Sequence, residues 1–163
     1  MRSKLHEITF NYTQEMEQTF EFLRDSKDYL EFKKIKKDID DSIYSVRMKS
    51  LMNMAIIYFY SIYEAFTRTF FAKVMNYEGM SVEQFSLEFH KFHELRKKII
   101  KEKYHIYYPK HVFRILRLLQ NDRNDIVHLG KKAKPEFENI EYCFRIIVEY
   151  FLYIKKEIFS RLS

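Results

Sequence analysis

The chain has 163 residues, which suits one domain with a single apolar core. Only two glycines and two prolines occur and 18% of the residues are aromatic, which excludes a many-stranded sandwich or barrel. The net charge is +6, and residues 91–134 hold thirteen Lys or Arg against four Asp or Glu. This local excess favours a polyanionic partner, RNA above all, although a solvated lysine-rich helix face gives the same pattern. We predict an all-α fold: a single-domain, up-and-down bundle of four to five helices over residues 1–163.

The N-terminal part begins with an amphipathic pattern. Apolar side chains recur every three or four residues from about Leu5 to Leu23, which predicts a helix with an acidic outer face. Residues 24–49 are highly charged, and we predict a short helix or a loop there. Residues 1–7 have no apolar stretch behind their basic side chains, so we predict no secretory signal and a cytoplasmic protein.

A broad apolar stripe from about Val46 to Tyr77 predicts the central helix, which Gly79 would end. Its longest apolar run, Met54 to Tyr63, stops at Glu64 and is far too short to span a membrane. The Glu64 carboxylate is either a buried partner of an Arg or a His, or a side chain at the edge of the stripe. Position favours the edge, because glutamate is seldom buried without a partner.

Ser81 is the predicted N-cap of the next helix, which we expect to run without a break into Arg96–Lys103. Glu102 and His105 have the Glu-x-x-His spacing of di-iron bundles, but the chain holds no second such pair and this one lies among lysines. We therefore expect neither a metal site nor a cofactor. The tyrosines of residues 104–108 either stack on bases or pack this connection onto the bundle.

Two prolines mark the starts of the last two helices. Pro109 suits the first turn of one, and Pro135 that of the other. The final helix has apolar residues alternating at spacings of three and four, which predicts a bundle seam: Phe137, Ile140, Phe144, Ile147, Phe151, Ile154 and Ile158. Cys143, the only cysteine, cannot form an internal disulfide and is predicted to be a small buried hydrophobe in a reducing compartment.

The stretch Arg123-Asn124-Asp125-Ile126-Val127-His128 contains the residue types that phosphate chemistry needs. Arginine offers a charged planar fork to phosphate oxygens, and histidine exchanges protons near neutral pH. On a continuous helix Arg123 and His128 would lie about 140° apart, whereas Asn124 and His128 would share a face. We expect Ile126 and Val127 to face the core. Two copies meeting across a two-fold axis would surround one groove with both motifs, so the geometry favours a homodimer if the site is catalytic.

The motif Arg-Asn-x-x-x-His lies late in this small helical chain and resembles the signature of HEPN domains. In that signature four to six residues separate an Arg from a His, and an Asn often follows the Arg directly. The aromatic-rich Ile57–Phe66, with its Tyr-Glu pair, resembles an earlier helix of bacterial HEPN branches. The resemblance spans roughly residues 45–160. HEPN proteins are commonly metal-independent, dimeric endoribonucleases of toxin–antitoxin, abortive-infection and CRISPR-linked systems; others are inactive and bind nucleotides or partner proteins.

The resemblance implies a role for each matching residue. Arg123 would neutralise the scissile phosphate, His128 would transfer protons during attack by the 2′-hydroxyl, and Asn124 would orient one of these groups. Glu64 and Asp125 would be supporting residues. RNA-binding lysines are expected in the basic segment: Lys97, Lys98, Lys101, Lys131, Lys132 and Lys134. The implied partners are RNA, a second copy of the chain, and a cognate antitoxin or defence protein.

Purely structural roles remain an alternative for the same residues. Asp122 or Asp125 could cap a helix, Arg123 could pair with Glu64, and His128 could be a hydrogen-bonded core histidine. Most arginines and histidines in proteins have such roles. The alternative function is a catalytically inactive HEPN-like module that binds a nucleotide, RNA or a protein.

Overall fold

The computed structural model describes residues 1–130 and 137–162, and within these ranges the chain is helical with no strand. The all-α prediction is confirmed. Two short α-helices raise the number of described α-helices to six, above the predicted four to five. In chain order they are α1 (Arg2–Ile35), α2 (Asp41–Tyr77), α3 (Val82–Glu88), α4 (Phe92–Leu95), which continues into a π-helix (Arg96–Lys103), α5 (Lys110–Leu129) and α6 (Phe137–Arg161). Pro135, predicted to open the last helix, lies outside the described residues.

The charged segment 24–49 belongs to two long helices, so the prediction of a short helix or loop there is wrong. The buried side chains of α1 recur every seventh residue at Met16, Leu23 and Leu30, and the charges lie on its other faces. The i,i+4 pair of Lys27 and Glu31, 2.9 Å apart, supports this part of the helix. Helix α2 begins earlier than expected because Asp40 is its N-cap, accepting a hydrogen bond from the Ile43 amide at 2.8 Å.

The helix that starts after Ser81 is interrupted, so the prediction of one continuous helix into the basic segment is also wrong. The start itself is confirmed: the Ser81 hydroxyl accepts from the Gln84 amide, and the Gln84 side chain accepts from the Ser81 amide. Arg68 of α2 then donates to the carbonyls of Phe89 and His90 at 2.6 and 2.9 Å. These carbonyls lie in the break between α3 and α4, where a side chain from another helix satisfies them.

Contacts between the long helices show their relative directions. Arg2, at the start of α1, donates to the Phe159 carbonyl near the end of α6, and Phe20 stacks on Phe144 nearer the start of α6, so these helices are antiparallel. Helices α5 and α6 are also in contact, since His111 near the start of α5 lies 2.8 Å from Glu149 in the middle of α6. Helices α1 and α2 form a hairpin. Near its connecting end lies a groove, and every described residue that lines this groove belongs to α1 or α2.

The core is rich in aromatic rings from α2 and α6. Phe66 and Phe151 are fully buried with ring centroids 4.1 Å apart. Most of the predicted α6 seam is confirmed: Ile140, Ile147, Phe151, Ile154 and Ile158 are buried, Phe144 is half-buried, and the side chain of Phe137 lies outside the description. Cys143 is half-buried against this core, and burial raises the pKa of its thiol to about 11. No helix in the described residues contains a stretch long and apolar enough for a membrane span.

Candidate functional site

The Arg123–His128 segment occupies the last two turns of α5. The helix is unbroken there and ends at Gly130, whose left-handed backbone (φ 61°) lets its amide donate to the Asp125 carbonyl. Because the helix is continuous, Arg123 and His128 point about 140° apart around its axis. A single chain therefore does not bring their side chains to one phosphate.

The Arg123 guanidinium is half-buried and held by two neighbours. Its Nη1 donates to the Asn124 Oδ1 at 3.0 Å, and its Cζ lies 5.2 Å from the centroid of the Tyr60 ring. No carboxylate of the described residues forms an ion pair with it. Its positive charge is thus oriented without being neutralised, which is the state that a phosphate-binding arginine requires.

Glu64 pairs with Arg68, so the alternative in which Glu64 neutralises Arg123 is wrong. The Glu64 Oε1 accepts from the Arg68 Nε at 2.9 Å, and 27% of the Glu64 side chain is exposed. It lies at the edge of the apolar stripe, as its position indicated. Through Arg68 it is connected to the break between α3 and α4.

Three arginines lie near Tyr60, and one of them, Arg123, lies over its ring. Burial and, next, the Glu64 carboxylate raise the pKa of the Tyr60 hydroxyl, while Arg96, Arg123 and Arg68 lower it to a smaller degree. Tyr60 lies edge to face with Phe92 at 6.3 Å, and the Arg68 and Arg96 guanidinium groups both lie within 6 Å of the Phe92 ring. Aromatic faces thus hold these cations close together, with Glu64 the carboxylate that pairs with one of them.

The remaining residues of the motif divide between core and solvent. Ile126 is half-buried against the core, as predicted, but Val127 is 48% exposed. Because adjacent residues on a helix point about 100° apart, the side of α5 that faces the core buries Ile126 but not Val127. His128 is exposed and forms no hydrogen bond or ion pair with a described residue, so the alternative of a core histidine is wrong.

The aspartates of this segment lie inside α5, away from its N-terminus, and do not cap it. Asp125 is half-buried. The pKa of Asp122 is raised, chiefly by burial and to a smaller degree by the charge of Asp125. The proposed supporting role of Asp125 stays a prediction.

A cleft of about 590 Å³, here called the α5 cleft, separates the π-helix from α5. Among its lining residues are His93, Arg96, Lys97, Lys101, Phe113 and Arg117. Of the predicted RNA-binding lysines, Lys97 and Lys101 therefore line one cleft. Lys98 instead pairs with Glu94 at 3.2 Å. Lys131, Lys132 and Lys134 lie outside the described residues.

Sequence reasoning missed Arg96, which the structure places beside the motif. The Arg96 side chain is half-buried over Phe92, 4.9 Å from the ring centroid, and its Nη2 donates to the Gln120 Oε1 at 3.1 Å. Gln120 lies one turn before Asn124 on α5. In the sequence, Arg96 is one of three consecutive basic residues, a pattern that usually indicates a solvated surface. The only local sign that Arg96 is partly buried was that an apolar residue flanks this run on each side.

The tyrosines of residues 104–108 have different environments. Tyr104 is buried and donates to Glu78, and Tyr108 is half-buried, so both pack the connection onto the bundle. Tyr107 is 63% exposed at the α5 cleft. Within the described ranges, no three His, Cys, Asp or Glu side chains come together where they could hold a metal ion.

Comparisons of the chain with models of known protein families, with curated proteins and with solved structures found no match. The function must therefore be argued from the chemistry of the described residues. The principal features are the Arg123 guanidinium, which pairs with no described carboxylate, the exposed His128 and the basic α5 cleft.

Proposed function

We propose that the protein is a metal-independent endoribonuclease of the HEPN type, which cleaves RNA at a site built by two copies of the chain. The observation that supports this most directly is the state of Arg123. Its guanidinium is oriented by Asn124 and Tyr60 and is paired with no described carboxylate, while His128 on the next turn is exposed. An oriented cation and an accessible imidazole are the two groups that metal-independent phosphodiester cleavage needs.

In the proposed reaction, the RNA 2′-hydroxyl attacks the adjacent phosphorus. The O2′–P bond forms as the P–O5′ bond breaks, which leaves a 2′,3′-cyclic phosphate and a 5′-hydroxyl. The His128 of one copy takes the proton of the 2′-hydroxyl, and a water molecule gives a proton to the leaving O5′. Arg123 stabilises the negative charge that develops on the phosphoryl oxygens, and Asn124 orients the guanidinium.

The proposal requires a dimer because of the geometry of α5. Arg123 and His128 diverge by about 140° on one helix, so one chain offers a phosphate either the guanidinium or the imidazole. A two-fold axis beside the last turns of α5 would place Arg123 of one copy opposite His128 of the other. We propose a toxin–antitoxin or antiphage-defence role for this dimer, with a cognate antitoxin or defence protein as regulator.

The same divergence favours a second function, an inactive module that binds RNA, a nucleotide or a protein. In a monomer Arg123 and the basic α5 cleft would still attract an anionic ligand, but no imidazole would reach it. This module would bind RNA with strong salt dependence and would not cleave it.

The deciding experiment incubates purified protein with total RNA in the presence of EDTA. We expect wild-type protein to cleave and to leave 2′,3′-cyclic phosphate ends, and His128→Ala to lose about 10²–10⁴-fold of the rate. His111→Ala is the matched control, since His111 lies on the same helix in an exposed pair with Glu149. Cleavage that EDTA abolishes, or that His128→Ala retains, would overturn the mechanism.

A mixing experiment tests the shared site. Arg123→Ala and His128→Ala should each be inactive alone. Their mixed dimer keeps one Arg123 and one His128, on different copies, so we expect part of the activity to return after subunit exchange. Absence of recovery in a verified heterodimer would contradict the composite site. An inactive wild type that binds RNA would establish the binding module instead.

A further inference from the structure

One exposed face of α5 carries opposite charges at its two ends and an apolar residue between them. Arg114, Leu118 and Asp122 follow one another at spacings of four residues, so they lie on one side of the helix at successive turns. All three are exposed, and Leu118 keeps 50% of its surface accessible. They line a groove of about 490 Å³ between α5 and α6, here called the α5–α6 groove.

The two charges on this face are not neutralised within the described part of the chain. The side chains of Arg114 and Asp122 form no ion pair and no hydrogen bond with a described residue. Partial burial is the main cause that raises the pKa of Asp122, the Asp125 charge raises it further, and no described cation lowers it. An unpaired cation and an unpaired anion therefore stand two turns apart, about 12 Å along the helix axis.

An exposed apolar residue of α6 lies level with Leu118. His111 of α5 contacts Glu149 of α6, and the groove residues further along α5 lie beside residues 139–143, so the two helices are antiparallel. Leu118 follows His111 by seven residues and Tyr142 precedes Glu149 by seven, which places Leu118 and Tyr142 at the same height. Tyr142 is 43% exposed and lines the α5–α6 groove. The face therefore has an apolar centre between charged ends, as specific protein interfaces do.

We propose that this face binds the same face of a second copy, with the two α5 helices antiparallel about a two-fold axis at Leu118. Such an axis exchanges the positions four residues before and four residues after Leu118. It therefore puts Arg114 of each copy opposite Asp122 of the other. Two ion pairs then flank a central apolar contact made by Leu118 and Tyr142 of both copies.

The order of the charges along the helix argues for a second copy. A face that reads cation, apolar residue, anion becomes its own complement when it is turned end over end. A polyanion would gain from Arg114 but would meet the Asp122 and Asp125 charges further along the helix. A second copy neutralises both charges at once and also covers the exposed Leu118 and Tyr142 side chains.

The contact is separate from the dimer that the proposed cleavage site requires and does not rest on it. With the axis at Leu118, Arg123 of one copy and His128 of the other lie about 22 Å apart along the helices, too far for one phosphate. Val127, within the motif, points about 180° away from Leu118 around α5. The two contacts therefore use opposite sides of α5 and can form together, which would join two cleavage dimers into a larger assembly.

The test measures self-association of the full chain by sedimentation equilibrium at low salt and without RNA. Arg114→Asp leaves the face acidic at both ends, and Asp122→Arg leaves it basic at both ends. Each variant alone should therefore associate about tenfold more weakly than wild type, because two attractive pairs become repulsive. Arg24→Asp is the matched control, since it makes the same charge change at an exposed position on α1 and should associate like wild type. Circular dichroism of each variant shows that its helix content is unchanged.

Restoring the charge pattern tests the two-fold geometry. The double variant Arg114→Asp/Asp122→Arg has opposite charges again, in reversed order, and should associate like wild type. An equimolar mixture of the two single variants should also recover, because an acidic face then meets a basic one. Recovery in both cases would support the antiparallel contact.

Three outcomes would overturn the proposal: a wild-type chain that does not associate, association that neither single variant weakens, or a double variant that fails to recover. A dimer indifferent to these charges would belong to another face of the molecule. Because association is measured without RNA, a failure of cleavage leaves this result interpretable. Cleavage by a protein that lacks the contact would in turn leave the proposed function intact.

Discussion

Two tyrosine hydroxyls that are buried side by side should respond in opposite ways to the same substitution. The Tyr63 and Tyr150 rings are both fully buried, with centroids 5.0 Å apart. The Tyr150 Oη shares a hydrogen bond with the Thr67 Oγ1 at 2.9 Å. The Tyr63 Oη makes no hydrogen bond of normal geometry, and the Arg96 side chain is a polar group beside it. Replacing each tyrosine by phenylalanine removes one hydroxyl and keeps the ring.

The expected magnitudes follow from this difference. Tyr150→Phe loses one net hydrogen bond, about 1 kcal/mol of unfolding free energy. The penalty is not larger, because the Thr67 hydroxyl keeps its hydrogen bond to the Tyr63 carbonyl at 2.9 Å. Tyr63→Phe removes a buried hydroxyl that makes no hydrogen bond of normal geometry, so the unfolding free energy should stay the same or rise by about 1 kcal/mol. The two variants should therefore differ by about 1–2 kcal/mol.

Urea unfolding followed by far-ultraviolet circular dichroism measures this difference. Unchanged m-values would show that the variants differ in stability and not in the surface exposed on unfolding. In a chain of this size each kcal/mol should move Tm by about 2–4 °C. If Tyr63→Phe lost as much stability as Tyr150→Phe, the contact between the Tyr63 hydroxyl and Arg96 would stabilise the fold as strongly as a normal hydrogen bond, contrary to this reasoning.

Three further predictions concern stability and reactivity. Phe66→Ala should lower the unfolding free energy by about 3–5 kcal/mol in urea, because it leaves a cavity beside the fully buried Phe151. Arg68→Ala should cost about 1–2 kcal/mol more than Glu64→Gln, because Arg68 also satisfies two carbonyls in the break after α3. Native Cys143 should react with a disulfide reagent at about pH 8 roughly a hundredfold more slowly than in urea, because its thiolate fraction is low. Since unfolding returns the thiol pKa toward its ordinary value, this group also reduces stability as pH rises from about 9 toward 11.

Each of these predictions has an outcome that would contradict it. A loss below about 1 kcal/mol for Phe66→Ala would mean that the core collapses around the vacated space. Equal losses for Arg68→Ala and Glu64→Gln would assign the effect to the ion pair alone. Equal thiol reactivity in native and unfolded protein would show that the Cys143 sulfur is accessible.

The helices could be predicted where local patterns determine them. The seam of α6 and the N-cap at Ser81 both depend on residues close in sequence, and the structure confirms the N-cap and most of the seam. The extension of α1 to residue 35 was also present in the sequence as the seven-residue spacing that ends at Leu30, but the density of charge obscured it. A charged outer face does not prevent a helix whose inner face remains apolar.

The site was less predictable because it depends on contacts between distant residues. Arg68 donates to carbonyls more than twenty residues further along the chain, and local sequence around α3 gives no sign of that contact. The break that accompanies it places Arg96 against Phe92 and Gln120. The position of the buried Tyr63 hydroxyl beside Arg96 is likewise a property of the packed core, since a tyrosine in an apolar stripe reads as one more buried ring.

The hairpin of α1 and α2 implies that stability is distributed unevenly along the molecule. At about 1.5 Å per residue these helices are about 50–55 Å long, and α6 is about 38 Å. At the connecting end, Leu30 and Leu51 are buried between two helices, while several apolar side chains remain exposed: Phe22, Tyr29, Phe32, Ile35, Ile43 and Val46. Amide hydrogens there should exchange through local opening at a lower free energy than those of the multi-helix core. Fraying of the hairpin end should leave Arg68, Arg96 and Arg123 in place, because the rings that hold them, Tyr60 and Phe92, are buried in the multi-helix core.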